Sequence, residues 1–281
     1  MIKLGIIGYP LGHTLSPFMQ GAALEHAGLD GEYIKLETKP DKLKEKIEYL
    51  KDAGYTGVNV TIPFKVEVME YLDIVDPLAE FTGAVNTVKF NMDGTLSGYN
   101  TDVYGFIEAL SKDQRTFLRG KTAAVLGTGG AARAVLMGFS QMGLDRIVFY
   151  ARNIEKAQNF IDGAGLKFRK IKIELQPLNE DIDLSYAAIV VNTTPLGMYG
   201  KYEGLSPVSQ KSIKTLPRDG IVYDIVYKPR TTKFLEYAKE SGLITVEGIE
   251  MLVLQGAKAF EIWTGANASA EVMREAAIKH L

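Results

Sequence analysis

Short apolar runs alternate with amphipathic stretches along the N-terminal third of the chain. Leu4 to Gly8 reads as a strand, and Ser16-Pro17 then opens a helix through about Ala27, with Ser16 as N-cap and Pro17 at the first helical position. Tyr33 to Leu36 predicts a second strand, Pro40 to Ala53 a helix closed by Gly54, Gly57 to Thr61 a third strand, and Pro63 to Leu72 a further helix. This βαβαβα order predicts a largely parallel sheet with covering helices. Val85 to Phe90 and Leu96 to Tyr99 flank Asp93-Gly94, a hairpin signal, so the sheet is expected to be mixed. A helix from about Val103 to Leu110 follows Asn100-Thr101-Asp102.

The polar stretch from Ser111 to Lys121 shows little periodicity and marks a domain boundary. Beyond it the alternation restarts, with strands at Thr122–Leu126, Arg146–Tyr150, Ala188–Asn192, Ile221–Ile225 and Ile244–Val246. Helices are expected at Ala131–Met142, Ile154–Ile161 and Thr232–Ser241. Ile249, Leu252, Val253, Gly256, Ala257, Phe260 and Trp263 then follow helical spacing, and a last helix runs from Ser269, its N-cap, to His280. These helices have no sheet of their own, so they are expected to return to the first domain. The chain therefore reads as a two-domain α/β protein: a mixed α/β domain of residues 1–110 and 248–281, and a doubly wound, Rossmann-type domain of residues 111–247.

Composition narrows the function. With 281 residues, 46% apolar and 23% charged, the chain has the make-up of a folded globular protein. The 32 basic and 34 acidic residues leave a net charge of −2, which gives no general electrostatic reason to bind nucleic acid or an anionic membrane. A small-molecule partner is expected, with the protein a monomer or homodimer. Cysteine is absent, which removes disulfides, thiolate nucleophiles and cysteine-ligated metals. The three histidines, His13, His26 and His280, are too scattered to suggest a metal site. Gly8, Pro10 and Gly12 interrupt the first apolar run, and no run approaches the ~18–20 residues that span a bilayer. A cytoplasmic location is expected.

The strand at Thr122–Leu126 runs into Gly127-Thr128-Gly129-Gly130-Ala131-Ala132 and then a helix, matching G-x-G-x-x-A in its required context. Gly127 permits the tight turn, Gly129 lets backbone approach a pyrophosphate, and Ala132 lets helix and strand pack closely. N–H groups at the helix N-terminus hold the phosphates. At the end of the next strand, where NAD enzymes place a carboxylate for the ribose 2′-OH, this chain has Tyr150-Ala151-Arg152-Asn153. Arg152, with Lys156 one helical turn on, suits a 2′-phosphate through charge-assisted hydrogen bonds, so NADP is expected.

Lys65 follows Pro63-Phe64, which would place its ammonium in the first turn of a helix against the positive dipole end. A tuned lysine can donate a proton to a carbonyl oxygen as hydride arrives. Asp102 stands before a helix, where capping is the ordinary reading, just as a surface lysine is for Lys65. Asn59, Thr61, Asn86 and Thr101 add polar side chains at strand ends, where open α/β sheets bind ligands, and together suggest a hydroxylated substrate.

Long motifs now combine in one order. Gly8-Tyr9-Pro10 with His13-Thr14-Leu15-Ser16-Pro17, Asn59-Val60-Thr61-Ile62-Pro63-Phe64-Lys65, Gly83-Ala84-Val85-Asn86-Thr87 and Gly98-Tyr99-Asn100-Thr101-Asp102 resemble the shikimate dehydrogenase family. The resemblance continues through the glycine loop, Asn192-Thr193-Thr194-Pro195-Leu196-Gly197-Met198, Asp224-Ile225-Val226-Tyr227 and Gly248 to Gln255, with Trp263-Thr264-Gly265. It implies NADPH-dependent reduction of 3-dehydroshikimate to shikimate in aromatic amino acid biosynthesis, with Lys65 and Asp102 as the catalytic pair. It further implies substrate contacts from Thr14, Ser16, Asn59, Thr61, Asn86, Thr101, Tyr227 and Gln255. The cofactor would be met by Gly127, Gly129, Gly130, Ala131, Arg152, Asn153, Lys156, Thr193, Met198 and Gly248, and no metal is implied.

Thr14 replaces the family's usual serine, and one added methyl can alter substrate preference by ~1–3 kcal/mol. Gln20-Gly21, Ala151 and Lys228 also depart from the family pattern. A quinate/shikimate dehydrogenase with mixed cofactor use is therefore the neighbouring reading, and a non-catalytic NADP-binding sensor the reading from a different class.

Overall fold

Alternation along the strands of the second half sends successive side chains to opposite faces, and in this chain both faces are apolar. A computed structural model, which describes residues 1–12 and 14–281, shows where they go; His13, which belongs to the motif before Ser16, lies outside the described residues. Ala123, Val125, Ile147, Phe149, Ile189, Val191, Ile221 and Tyr223 enter one core, while Ala124, Leu126, Val148, Tyr150, Val190 and Val222 enter another on the opposite face.

The strands are β1 (Ile2–Gly8), β2 (Gly31–Glu37), β3 (Gly57–Val60), β4 (Ile74–Val75), β5 (Thr87–Phe90), β6 (Leu96–Tyr99), β7 (Thr122–Leu126), β8 (Arg146–Ala151), β9 (Lys172–Pro177), β10 (Ile189–Asn192), β11 (Ile221–Asp224) and β12 (Ile244–Val246). The helices are α1 (Ser16–His26), α2 (Leu43–Asp52), α3 (Pro77–Thr82), α4 (Thr101–Glu108), α5 (Lys112–Leu118), α6 (Gly130–Met142), α7 (Ile154–Lys167), α8 (Gln210–Ile213), α9 (Lys233–Glu240), α10 (Gly248–Thr264) and α11 (Ala270–Lys279).

The chain divides into two compact units, Met1–Gly105 with Val253–Leu281, and Phe106–Leu252. These divisions fall within α4 and α10, a few residues from the 110/111 and 247/248 boundaries expected from the sequence pattern. Phe106 accounts for the first: it stacks on Tyr223 and meets Phe139 edge-on inside the second core. The stretch from Ser111 to Lys121, expected to mark the boundary, lies inside the second unit. It carries α5, held by a capping box in which Ser111 and Gln114 satisfy each other's backbone N–H groups.

The first unit is built on a mixed sheet of order β2-β1-β3-β5-β6-β4, with β5 antiparallel to β3 and β6. One face of β3 sends Val58 and Val60 into a core with Leu43, Ile47 and Phe64. Gly57 and Asn59 face the other way. A side chain at Gly57 would collide with Trp263 of α10, whose indole N–H donates to Val88 O at 2.9 Å. The C-terminal helices thus return to the first sheet, as their pattern predicted; Gln20 of α1 donates to Gly256 O at 2.9 Å, and Phe18 stacks on His280.

The second unit has an all-parallel sheet of order β12-β11-β10-β7-β8-β9, the doubly wound arrangement with its switch point between β7 and β10. Among the described residues, no helix is long and apolar enough to cross a membrane.

Candidate active site

Asp102 lies in the first turn of α4, but it is not the cap. Asn100 does that work, its Oδ1 accepting the N–H groups of Asp102 and Val103 at 3.1 and 3.4 Å. The Asp102 carboxylate is left to face its neighbours: Oδ2 takes Lys65 Nζ at 2.5 Å and Oδ1 accepts Asn86 Nδ2 at 2.8 Å. The two charged side chains are 23% and 13% exposed, so the pair is shielded yet open to a ligand.

Lys65 is not at an α-helix N-terminus. Residues 62–66 form turns ahead of a 3₁₀ segment, Glu67–Tyr71, so the dipole argument does not apply to it. Its position is set instead by Val85, whose N–H donates to Lys65 O at 2.7 Å, and by the bond to Asp102.

Asn86 ties the pair to its surroundings. Its Oδ1 accepts Thr101 N–H at 2.8 Å, while Nδ2 also reaches Thr101 Oγ1 at 2.9 Å and Gln255 Oε1 at 3.4 Å. Asn59 Nδ2 donates to Asn86 O and Thr87 Oγ1, both at 3.2 Å. α10 brings Gln255 here because Trp263 anchors it at Gly57, and eight residues at 1.5 Å each carry Gln255 about 12 Å back along the helix.

Tyr33 extends the network, its hydroxyl donating to Asn59 Oδ1 at 2.8 Å and contacting the Ser16 hydroxyl. Burial holds the Tyr33 phenol well above the ordinary tyrosine range, so it stays protonated as a donor. Ser16, expected to cap α1, is its first residue, and Thr14 Oγ1 accepts the Ser16 N–H at 3.3 Å and donates to its hydroxyl at 3.1 Å. Thr61 directly follows β3, its methyl against Gly8. The first unit therefore gathers Ser16, Asn59, Lys65, Asn86, Thr101, Asp102 and Gln255 into one polar network, with Thr14 joined to it through Ser16. Tyr227 belongs to the second unit, half-buried after β11, with its phenol pushed up by burial.

In the second unit, β7 ends on Gly127, whose φ of +107° is open to glycine alone without strain. Gly129 is the N-cap of α6 and offers no side-chain oxygen to the helix, while nothing stands within 4 Å of the side-chain direction of Gly129 or Gly130. Free N–H groups and open space fit a phosphate. Ala132 is fully buried under the helix, as close packing requires. Arg152 and Lys156 are exposed at the end of β8 and the start of α7; Asn153 caps α7 by accepting Lys156 N–H at 2.8 Å. Thr193 donates to Leu126 O at 2.9 Å, Met198 is 44% exposed, and Gly248 lies against the backbone of Ile225 and Val226.

Comparison with known proteins now decides the family. Residues 6–88 match the model of the shikimate dehydrogenase substrate binding domain, and residues 248–278 that of the shikimate 5'-dehydrogenase C-terminal domain. The shikimate dehydrogenase (NADP(+)) of Methanopyrus kandleri is 40% identical over 99% of this chain and 95% of its own. The enzyme of that name from Synechocystis is 41% identical over 99% of this chain and 95% of its own. The chain belongs to the shikimate dehydrogenase family. A crystal structure of shikimate 5-dehydrogenase from Thermus thermophilus, in complex with NADP(H) and shikimate, matches with a TM-score of 0.86 at 36% identity over all of both chains. Tyr33 joins this network from outside the quoted motifs, and Asn100, which lies within the Gly98–Asp102 motif, takes the capping role that the sequence gave to Asp102.

Proposed function

We propose that the chain reduces 3-dehydroshikimate to shikimate with NADPH, a step of aromatic amino acid biosynthesis. The observation that carries this reading is the Lys65 ammonium held 2.5 Å from Asp102 inside a network of amides and hydroxyls. When bound, NADPH supplies the hydride. Gly127, Gly129, Gly130 and Ala131 would hold its pyrophosphate, and Arg152 with Lys156 its 2′-phosphate; Thr193, Met198 and Gly248 are assigned to the other half.

Lys65 faces the substrate carbonyl and gives its proton to the oxygen as negative charge develops there. Asp102 aims the ammonium and accepts a hydrogen bond from the adjacent substrate hydroxyl. Asn86 keeps the second carboxylate oxygen in place, so Asp102 cannot swing away from Lys65. Solvent returns the proton to the partly exposed Lys65. Gln255, Thr101 and Asn59 line the remaining hydroxyls, and Thr14, Ser16 and Thr61 are assigned to the carboxylate end; Tyr227, in the second unit, is kept as a substrate-contact candidate.

Oxidation of NADPH, followed separately with 3-dehydroshikimate and 3-dehydroquinate, tests the reading. Turnover that favours 3-dehydroshikimate supports it; turnover of neither substrate, with NADPH bound, would overturn it.

A further inference from the structure

A second polar network, within the second unit, lies at the carboxyl ends of β10 and β11. Asp224 is fully buried at the end of β11. Its Oδ1 accepts Asn192 Nδ2 at 2.9 Å and Val226 N–H at 3.0 Å, and its Oδ2 accepts the Thr232 hydroxyl at 2.5 Å. Asn192 in turn donates to Leu196 O at 3.0 Å and accepts the N–H and hydroxyl of Thr194 at 2.9 and 2.7 Å. Tyr199 N–H closes the far end on Lys228 O at 2.7 Å. One carboxylate thus fastens residues 192–199 to residues 224–232.

The position of these loops in the sheet gives them a role. The glycine turn of β7 marks where the pyrophosphate sits, and Arg152 marks the adenosine half over β8. A dinucleotide laid across the switch point must then send its other half the opposite way, over the ends of β10 and β11. Thr193, bonded to Leu126 O beside Gly127, links the glycine turn to the first of the two loops.

We propose that Asp224 is a positioning residue for the nicotinamide half of the cofactor, acting through Asn192 and Val226 on the two loops that receive it. It touches neither cofactor nor substrate. The inference rests on reading residues 127–131 as the pyrophosphate cradle.

The test measures binding of NADPH and of adenosine 2′,5′-bisphosphate, which lacks the nicotinamide half, to wild type, Asp224→Ala, Asp224→Asn and Asn192→Ala. Asp224→Ala and Asn192→Ala should weaken NADPH about tenfold or more and lower kcat, leaving adenosine 2′,5′-bisphosphate within about twofold. Asp224→Asn keeps an oxygen for Asn192 and Val226 and should recover most of both losses. Asn192→Ala carries the same comparison should Asp224→Ala not fold. Equal losses for the two ligands, or no loss of NADPH affinity in either alanine variant, would overturn the proposal. Failure of wild type to bind either ligand would instead sink the cradle reading and the proposal with it.

Discussion

Asn86 donates to Asp102 Oδ1 at 2.8 Å on the side of the carboxylate away from Lys65, so one amide fixes the direction in which the other oxygen meets the ammonium. The same amide accepts Thr101 N–H in the first turn of α4. Hairpin, helix and reactive pair are therefore positioned by a single side chain, and the geometry of Lys65 depends on groups that never touch it.

Tyr33 tests how far that dependence reaches. Removing its hydroxyl in Tyr33→Phe leaves the buried Asn59 Oδ1 without its donor, at a cost of about 1–3 kcal/mol in stability. Denaturant unfolding of the variant should show that loss, together with a raised KM for 3-dehydroshikimate. Unchanged stability and KM would mean Asn59 does not rely on Tyr33.

Arg152 should distinguish the two nicotinamide cofactors. No carboxylate stands at the end of β8, and Arg152 is exposed there with Lys156 one turn on. Arg152→Ala is expected to weaken NADP roughly 10- to 150-fold and NAD little, the scale of one charge-assisted contact. Titration of both cofactors checks it, and parallel losses would remove Arg152 from the 2′-phosphate.

Asp224 makes stability depend on pH in a stated direction. Burial pushes its carboxyl from the ordinary 3.8 up to about 7, against the three hydrogen bonds that favour the charge. The folded state therefore binds the proton more tightly than the unfolded chain, and stability falls as pH rises through about 7. The loss from this group between pH 5 and pH 8 is about 2–3 kcal/mol. Asp224→Asn cannot titrate, so the difference between wild type and variant in denaturant unfolding should shift by that amount across the range. A constant difference would mean that the folded-state carboxyl titrates below this range.

The second unit was the more legible in sequence, because its central strands are buried on both faces and read as continuous apolar runs. β9 is not legible in the pattern: Lys172 to Pro177 is a half-exposed edge strand whose charges hide the period. α5 was hidden by its polarity, although Ser111 and Gln114 already had capping-box spacing. Pro63 suggested an α-helix that the turns at 62–66 replace. Within the site, Lys65 and Asp102 were visible as residue types, but 37 residues separate them and only the sheet shows that they meet. Tyr33 was not legible, since a tyrosine inside a strand gives no sign of which hydroxyl or amide it will find.

The most direct measurement is the steady-state kinetics of Lys65→Met. The ammonium is engaged mainly as charge develops on the substrate oxygen, so its loss should cut kcat by ~10²–10⁴ with a much smaller change in KM. Asp102→Asn should also lower kcat, and the double variant should fall far short of the product of the two losses, because the residues act as one unit. Near-normal kcat in Lys65→Met, with circular dichroism unchanged and NADPH still bound, would contradict the account.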